Sequence, residues 1–212
     1  MKVFLVDDDS SVRKGLTRLI RAAGYAIETF ASAQEFFKSN PEVAGVACLV
    51  LDVSMPGLNG LELQQALRAA NVTIPIIFIT GHGDIPMSVK AMKAGAVDFL
   101  PKPVRAEALL PAIEQALARA SRQCAEASEL VEIERRLESL TPREREVMAL
   151  VVTGMLNKQI AHELGTVEKT IKVHRSRVME KMQVSSFAEL VRLAEKVGMP
   201  EQQRSAAASA RR

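Results

Sequence analysis

Over the first 119 residues, short apolar runs rich in β-branched side chains alternate with segments whose apolar positions recur every three or four residues. The first pattern predicts buried strands and the second amphipathic helices. Strands fall near 2–6, 26–30, 46–51, 75–80 and 97–100; helices fall near 10–23, 32–39, 59–70, 86–94 and 104–119. Strands that are apolar on both faces and separated by helices belong to a parallel sheet covered on two sides. The pattern therefore predicts an α/β domain, a five-stranded doubly wound parallel sheet with right-handed crossovers.

The pattern changes after residue 119. "SRQCAEASELVEIERRLESL", residues 120–139, contains no glycine or proline and is rich in Ala, Glu, Leu and Arg, which predicts a helical linker. Beyond it no strand pattern recurs. "LTPREREVMALVVTG" has Thr141 as N-cap, Pro142 at the first helical position, Glu144 three residues after the cap and Gly154 as terminator. "NKQIAHELG", "VEKTIKVHRSRVMEKMQ" and "SFAELVRLAEKVG" follow, so residues 140–198 are expected to form a small all-α four-helix domain. The polar tail, 199–212, has no apolar face to bury and is expected to be disordered.

Composition narrows the class. The 212 residues suffice for two cores. Cys48 and Cys124 lie far apart, and the first sits within "VACLVL", which suggests reduced thiols and no disulfide framework. The amino terminus turns acidic after a handful of residues, and no later apolar run is long enough for a bilayer, so the expectation is a soluble, cytoplasmic chain without a membrane partner. Residues 1–120 carry 12 basic and 12 acidic side chains, whereas 141–212 carry 13 and 8. The net charge of +3 thus resides in the C-terminal part.

Candidate chemistry sits at strand ends. The first strand runs into Asp7, Asp8 and Asp9, and the third into Asp52. In a flavodoxin-like strand order the ligand crevice lies between the carboxyl ends of these two strands. Carboxylates gathered there repel one another unless a cation lies among them. The donors are oxygens, which favour a hard ion, and a site of few protein oxygens suits magnesium better than calcium. Thr80 ends the fourth strand and Lys102 follows the fifth. A magnesium ion and a lysine beside Asp52 can neutralise an incoming phosphoryl group, which Asp52 can attack as a nucleophile. Taken singly, an aspartate at a strand end is an ordinary cap, a role expected here of Asp9 or Ser10 for the first helix.

With these residues in place, Met1 to about Arg119 resembles a response-regulator receiver domain, and "GHGDIPMSVKAMKAGAVDFLPKP" is similar to the FixJ subfamily. The resemblance implies that Asp52 accepts a phosphoryl group from a sensor histidine kinase. It implies that Asp7, Asp8, Asp52 and the backbone carbonyl of Ser54 hold Mg2+, and that Thr80 and Lys102 bind phosphoryl oxygens. The family's switch aromatic maps to Phe99, a ring without the tyrosine hydroxyl of many relatives. A cis Lys102–Pro103 bond is also implied. His82 reads as a solvated loop residue or as one that tunes the access of water.

The C-terminal unit contains helix, short turn at Leu164 to Val167, then helix. Its second helix carries Lys169, Lys172, His174, Arg175, Arg177 and Lys181 against Glu180, while Ile171, Val178 and Met182 recur on an apolar face. A solvated face normally mixes signs; this one suits a recognition helix in a DNA major groove. The stretch from about Leu140 to Gly198 resembles the LuxR-type helix-turn-helix domain in "LTPREREVM", "NKQIAHELG" and "TIKVHRSRVMEKM". By that resemblance Lys172, Val173 and Ser176 approach bases, while Lys169, Thr170, His174, Arg175 and Arg177 meet phosphates. The helix near 186–197 is the family's usual contact between DNA-bound copies, and ordinary packing within the domain is an equal reading for it.

These parts predict a two-component response regulator: a receiver over 1–119, a linker over 120–139 and a DNA-binding domain over 140–198. Phosphorylation would repack the surface of residues 86–119, pair two copies and engage promoter DNA, with RNA polymerase as a further partner and activation as the family's usual outcome. Two other classes stand beside this one. A haloacid-dehalogenase-like phosphatase would need a second aspartate two residues after Asp52, where Ser54 stands. A receiver acting only through protein contacts would use its helical unit as an interaction module, and salt-dependent binding to a duplex would argue against it. The expectation is therefore a signalling protein and not an enzyme.

Overall fold

The computed structural model describes residues 1–39, 45–81 and 85–199. His82 and residues 200–212 of the expected tail lie outside the described residues. The chain divides into two compact units, Met1–Ala125 and Glu126–Arg212.

The first unit is built from β1 (Lys2–Val6), α1 (Ser10–Ala22), β2 (Ala26–Phe30), α2 (Ala33–Ser39), β3 (Ala47–Asp52), α3 (Gly60–Ala69), β4 (Ile76–Thr80), α4 (Ile85–Lys93) and β5 (Asp98–Pro101), followed by α5 (Ala106–Glu138). The sheet is parallel throughout, in the order β2-β1-β3-β4-β5. Its central strands are buried on both faces, which is why they read as unbroken apolar runs. Alternate residues supply two separate cores. Phe4, Leu49, Leu51 and Phe78 meet Phe36, Leu63, Leu67 and Ala91 of α2, α3 and α4. Val3, Leu5, Val50, Ile77 and Ile79 meet Leu16 and Ile20 of α1 and Leu109 and Ile113 of α5. Cys48 lies in this second core, and burial pushes its thiol up to about 12. It is held as a protonated, inert group.

The strands and helices differ from expectation by a residue or two at their ends, with one larger exception. The pattern predicts a helix ending near 119 and a helical linker over 120–139. A single helix, α5, runs from Ala106 to Glu138 instead. No glycine or proline falls between 112 and 138, so nothing in the backbone chemistry breaks it. The boundary between the two units falls within this helix, and its last turns carry Ile133 and Leu137 into the core of the second unit.

That core is closed by α6 (Pro142–Val152), α7 (Asn157–Glu163), α8 (Glu168–Lys181) and α9 (Phe187–Lys196). Met148, Val151, Ile160, Ile171, Val178, Met182 and Leu190 form its centre. Thr141 and Glu144 make the expected capping box, with Pro142 at the start of the helix. Glu144 does more than cap. It is 2% exposed, and its Oε2 lies 2.6 Å from Lys181 Nζ while also accepting from the Thr141 N–H at 2.9 Å. Lys181 further donates to the Ser139 carbonyl. This basic residue of α8 therefore ties the helix to α6 and does not stand free with the others.

The Lys181 ammonium and the Thr141 N–H hold the Glu144 carboxyl down to about 2, against a usual value of 4.5. A depressed folded-state value means that the contribution to stability is whole above about pH 4.5 and is lost as pH falls towards about 2. Glu144→Gln is expected to lower the stability of the second unit by roughly 1–3 kcal/mol at neutral pH, through loss of the charged hydrogen bond to Lys181, since glutamine can still accept from the Thr141 N–H. Protection factors of α6 and α8 amides in the intact chain should fall between pH 5 and 3 in the parent and fall less steeply in the variant, where the other depressed carboxyls, Glu132 and Glu189, still titrate.

Candidate functional site

β1 and β3 are neighbours, with Val6 opposite Leu51, so the residues that follow face each other across the carboxyl end of the sheet. Carboxylate oxygens of Asp7, Asp8 and Asp52 come within 4.8 Å of one another. Asp7 and Asp52 are buried, at 0% and 3% exposure, and Asp8 is exposed. The third aspartate has a different task. Asp9 caps α1, its Oδ1 accepting from the N–H and hydroxyl of Ser11 at 2.7 and 2.6 Å.

Local hydrogen bonds aim the two buried groups. Asp7 Oδ1 accepts from the Asp9 N–H at 2.8 Å, and Asp52 Oδ1 from the Ser54 N–H at 3.1 Å. Their other oxygens converge on Lys102, whose Nζ lies 2.7 Å from Asp7 Oδ2 and 2.6 Å from Asp52 Oδ2. The backbone delivers Lys102 there. Its N–H donates to the Thr80 carbonyl at 2.7 Å, directly after β5, and the Lys102–Pro103 bond is cis, as the resemblance implied. Thr80, 1% exposed, closes β4 beside it.

Burial raises the Asp7 carboxyl above its ordinary value, a shift opposed by Lys102 and by the Asp9 N–H. Burial also disfavours the charged form of Lys102, but hydrogen bonds to Asp52 and Asp7 outweigh it and raise the ammonium. One cation thus faces three carboxylates. The residual negative charge and the all-oxygen donor set fit a hard divalent ion.

Two contributors escaped the sequence. Gly60 opens α3 so close to β3 that a Cβ there would stand 2.3 Å from the Asp52 carbonyl oxygen. Its only sequence signal is the "PGLNG" turn, with Asn59 as N-cap. Arg13 of α1 donates from Nη1 to the Asp7 carbonyl at 2.6 Å, and no local pattern marks it. Phe99 is half-buried in β5, its ring 6.2 Å from that of Phe78.

In the second unit α7 and α8 are joined through residues 164–167, as expected. Ile171, Val178 and Met182 are buried against the core. Lys169, Lys172, Val173, Ser176 and Arg177 are exposed, and Thr170, His174 and Arg175 are half-buried. Lys172 forms an ion pair with Glu168 one turn earlier, at 3.3 Å. Arg175 is already engaged: Nη1 donates to Asn157 Oδ1 at 3.2 Å and the guanidinium lies 5.5 Å from the centre of the Phe187 ring. It links α8 to α7 and α9. The exposed basic set is therefore narrower than the one counted along the sequence.

Residues 3–114 match the response regulator receiver domain, and residues 138–194 match the luxR family of bacterial regulatory proteins. Nodulation protein W of Bradyrhizobium diazoefficiens is 49% identical over 198 residues, 93% of this chain and 86% of that protein. The transcriptional regulatory protein FixJ of the same organism is 43% identical, over 93% of this chain and 96% of its own length. The structure of the response regulator StyR is similar with a TM-score of 0.81 and 51% identity, covering 92% of this chain and 98% of that one. Among the described residues no helix is long and apolar enough to cross a membrane.

The contact at Gly60 can be checked against a glycine that has room. Gly60→Ala is expected to destabilise the chain by roughly 1–3 kcal/mol and to weaken divalent-cation binding, because β3 must shift to admit the methyl group. Gly15→Ala, in α1 with nothing within 4 Å of the new Cβ, is expected to stabilise by about 0.5–1 kcal/mol. Denaturant unfolding and cation titration of the full chain report both.

Proposed function

The chain belongs to the response regulators, pairing a receiver domain with a luxR-family DNA-binding domain as a phosphorylation-dependent regulator of transcription, and we propose that Asp52 is its phosphoacceptor. The observation that carries this assignment is the position of the Asp52 carboxylate: buried at the sheet's end, aimed by the Ser54 N–H and 2.6 Å from the Lys102 ammonium. A sensor histidine kinase supplies the phosphoryl group.

Asp7, Asp8 and Asp52, with the backbone carbonyl of Ser54, would hold Mg2+, whose charge offsets both the carboxylates and the phosphoryl oxygens. Asp52 attacks phosphorus through a carboxylate oxygen, and as the new O–P bond forms the bond between phosphorus and the donor breaks, its electron pair leaving on the donor atom. Lys102, shared between Asp7 and Asp52, turns to a phosphoryl oxygen, and the Thr80 hydroxyl donates to another. The added group brings roughly 1.5 to 2 negative charges. Drawing Thr80 inward makes room for Phe99, which lies on the neighbouring strand beside Phe78. The transfer yields a signal and not a released product, so the chain is read as a regulator without enzymatic turnover.

The surface of α4, β5 and the first part of α5 then pairs two copies. Val89 and Met92, 45% and 46% exposed on α4, supply apolar area for that contact. Pairing raises the effective concentration of two recognition helices at paired half-sites without new base contacts. Lys172, Val173 and Ser176 of α8 are assigned to base edges; Lys169, Thr170, His174, Arg175 and Arg177 are assigned to phosphates, with Arg175 doubling as a brace. Activation, through RNA polymerase, is the expected regulatory outcome. The functional bounds are placed at 1–119 for the receiver, 120–139 for the connecting helix and 140–198 for the DNA-binding domain, in a cytoplasmic protein.

Acetyl phosphate with Mg2+ is expected to dimerise the parent chain, and Asp52→Asn to remain monomeric under the same treatment in sedimentation; an Asn variant that still pairs on treatment would refute the assignment. On a duplex bearing its operator, Arg177→Ala is expected to weaken binding to all sequences alike and to reduce the salt slope by roughly one. Lys172→Ala should instead cost about 1–3 kcal/mol of discrimination between the operator and a sequence altered at one base pair. Affinities measured across a salt series separate the two effects.

A further inference from the structure

A cavity of about 180 Å³ opens at the amino ends of β4 and β5, the end of the sheet opposite Asp52. The C-terminal turn of α3, the loop before β5 and the middle of α5 enclose it. Its floor is apolar, from Leu67, Val72 and Ile74. Among the described residues no carboxylate lines it, and two exposed arginines, Arg68 and Arg119, flank its mouth. Neither arginine has an ion-pair partner among the described residues. Arg119 is nonetheless held in place, donating from Nη1 to the Gly95 carbonyl at 3.2 Å, which leaves its remaining N–H groups for another acceptor. Beside it Gln123 has an Oε1 that is buried and accepts no hydrogen bond from the described residues.

These features specify a ligand. Two neighbouring guanidiniums without carboxylates call for an anion, and the planar fork of arginine suits a carboxylate. A buried acceptor without a donor calls for an O–H or N–H. The volume is far above the ~10–15 Å³ that one water needs and below the ~300 Å³ where drug-sized pockets begin. We propose that this cavity is a binding site for a small carboxylate that also carries a hydroxyl or amino donor. Its carboxylate meets Arg68 and Arg119, its donor meets Gln123 Oε1, and its short carbon chain covers Leu67, Val72 and Ile74. The site stands apart from the phosphoacceptor and the DNA face, and its existence does not depend on either assignment.

Three probes of similar size separate charge from donor: lactate, propionate and propane-1,2-diol, each titrated into the intact 15N-labelled chain. Lactate is expected to shift the amides of Thr73, Gly95 and Gln123 saturably, propionate to bind several-fold more weakly and the diol not to bind. Arg68→Ala combined with Arg119→Ala should abolish the lactate shifts at an unchanged thermal midpoint, whereas Arg119→Lys should keep part of them. Gln123→Leu should erase the preference for lactate over propionate. The proposal is overturned if lactate produces no saturable shift, which would make the cavity a water pocket. It is equally overturned if the double variant binds lactate as the parent does, or if propionate matches lactate and Gln123→Leu changes nothing.

Discussion

Two buried carboxylates and one exposed carboxylate share a space that a single lysine only partly neutralises, and the layout of the N-terminal unit follows from how that repulsion is contained. Asp7 and Asp52 are brought together by the pairing of β1 with β3. The cost of their burial is tempered because a backbone N–H donates to one oxygen of each and the Lys102 ammonium lies within 2.7 Å of the other. The compensation is incomplete, and the remainder is the negative charge on which the proposed cation and phosphoacceptor roles rest. A fully neutralised site would be more stable and would have nothing to switch.

The scaffold is correspondingly rigid on both sides of that crevice. Each central strand contributes alternate residues to two cores, so moving one strand end disturbs packing on both faces of the sheet. Thr80 ends β4, and Phe99 lies on the adjacent strand β5 opposite Phe78. In the second unit the corresponding constraint is the Glu144–Lys181 pair, which fixes the C-terminal end of α8 against α6, while Arg175 braces its middle. A basic helix that must enter a groove needs such anchors, since its own exposed charges repel one another.

Much of this could be read along the chain. Strand and helix periods marked the sheet and the four-helix unit, and Asp7, Asp52, Thr80 and Lys102 were legible because each follows directly on an apolar run. The capping box at Thr141 was legible for the same reason, its partners being three residues apart. The helical character of 120–139 was legible as well, from a run without glycine or proline; that it joins the preceding helix as one element, α5, was not.

What the sequence alone determined were features set by near neighbours in the chain: element type, helix caps, the placement of carboxylates at strand ends and the excess of positive charge in the C-terminal part. Only the tertiary structure decided which side chains meet across long separations. It brought Lys102 between Asp7 and Asp52, demanded a glycine at 60 where α3 presses on the Asp52 carbonyl, turned Lys181 inward to Glu144, and set Arg68 and Arg119 around one cavity. Periodicity encodes which face of an element is buried; it carries no information on which distant residue will be packed against that face, because that is settled by the close packing of the whole domain.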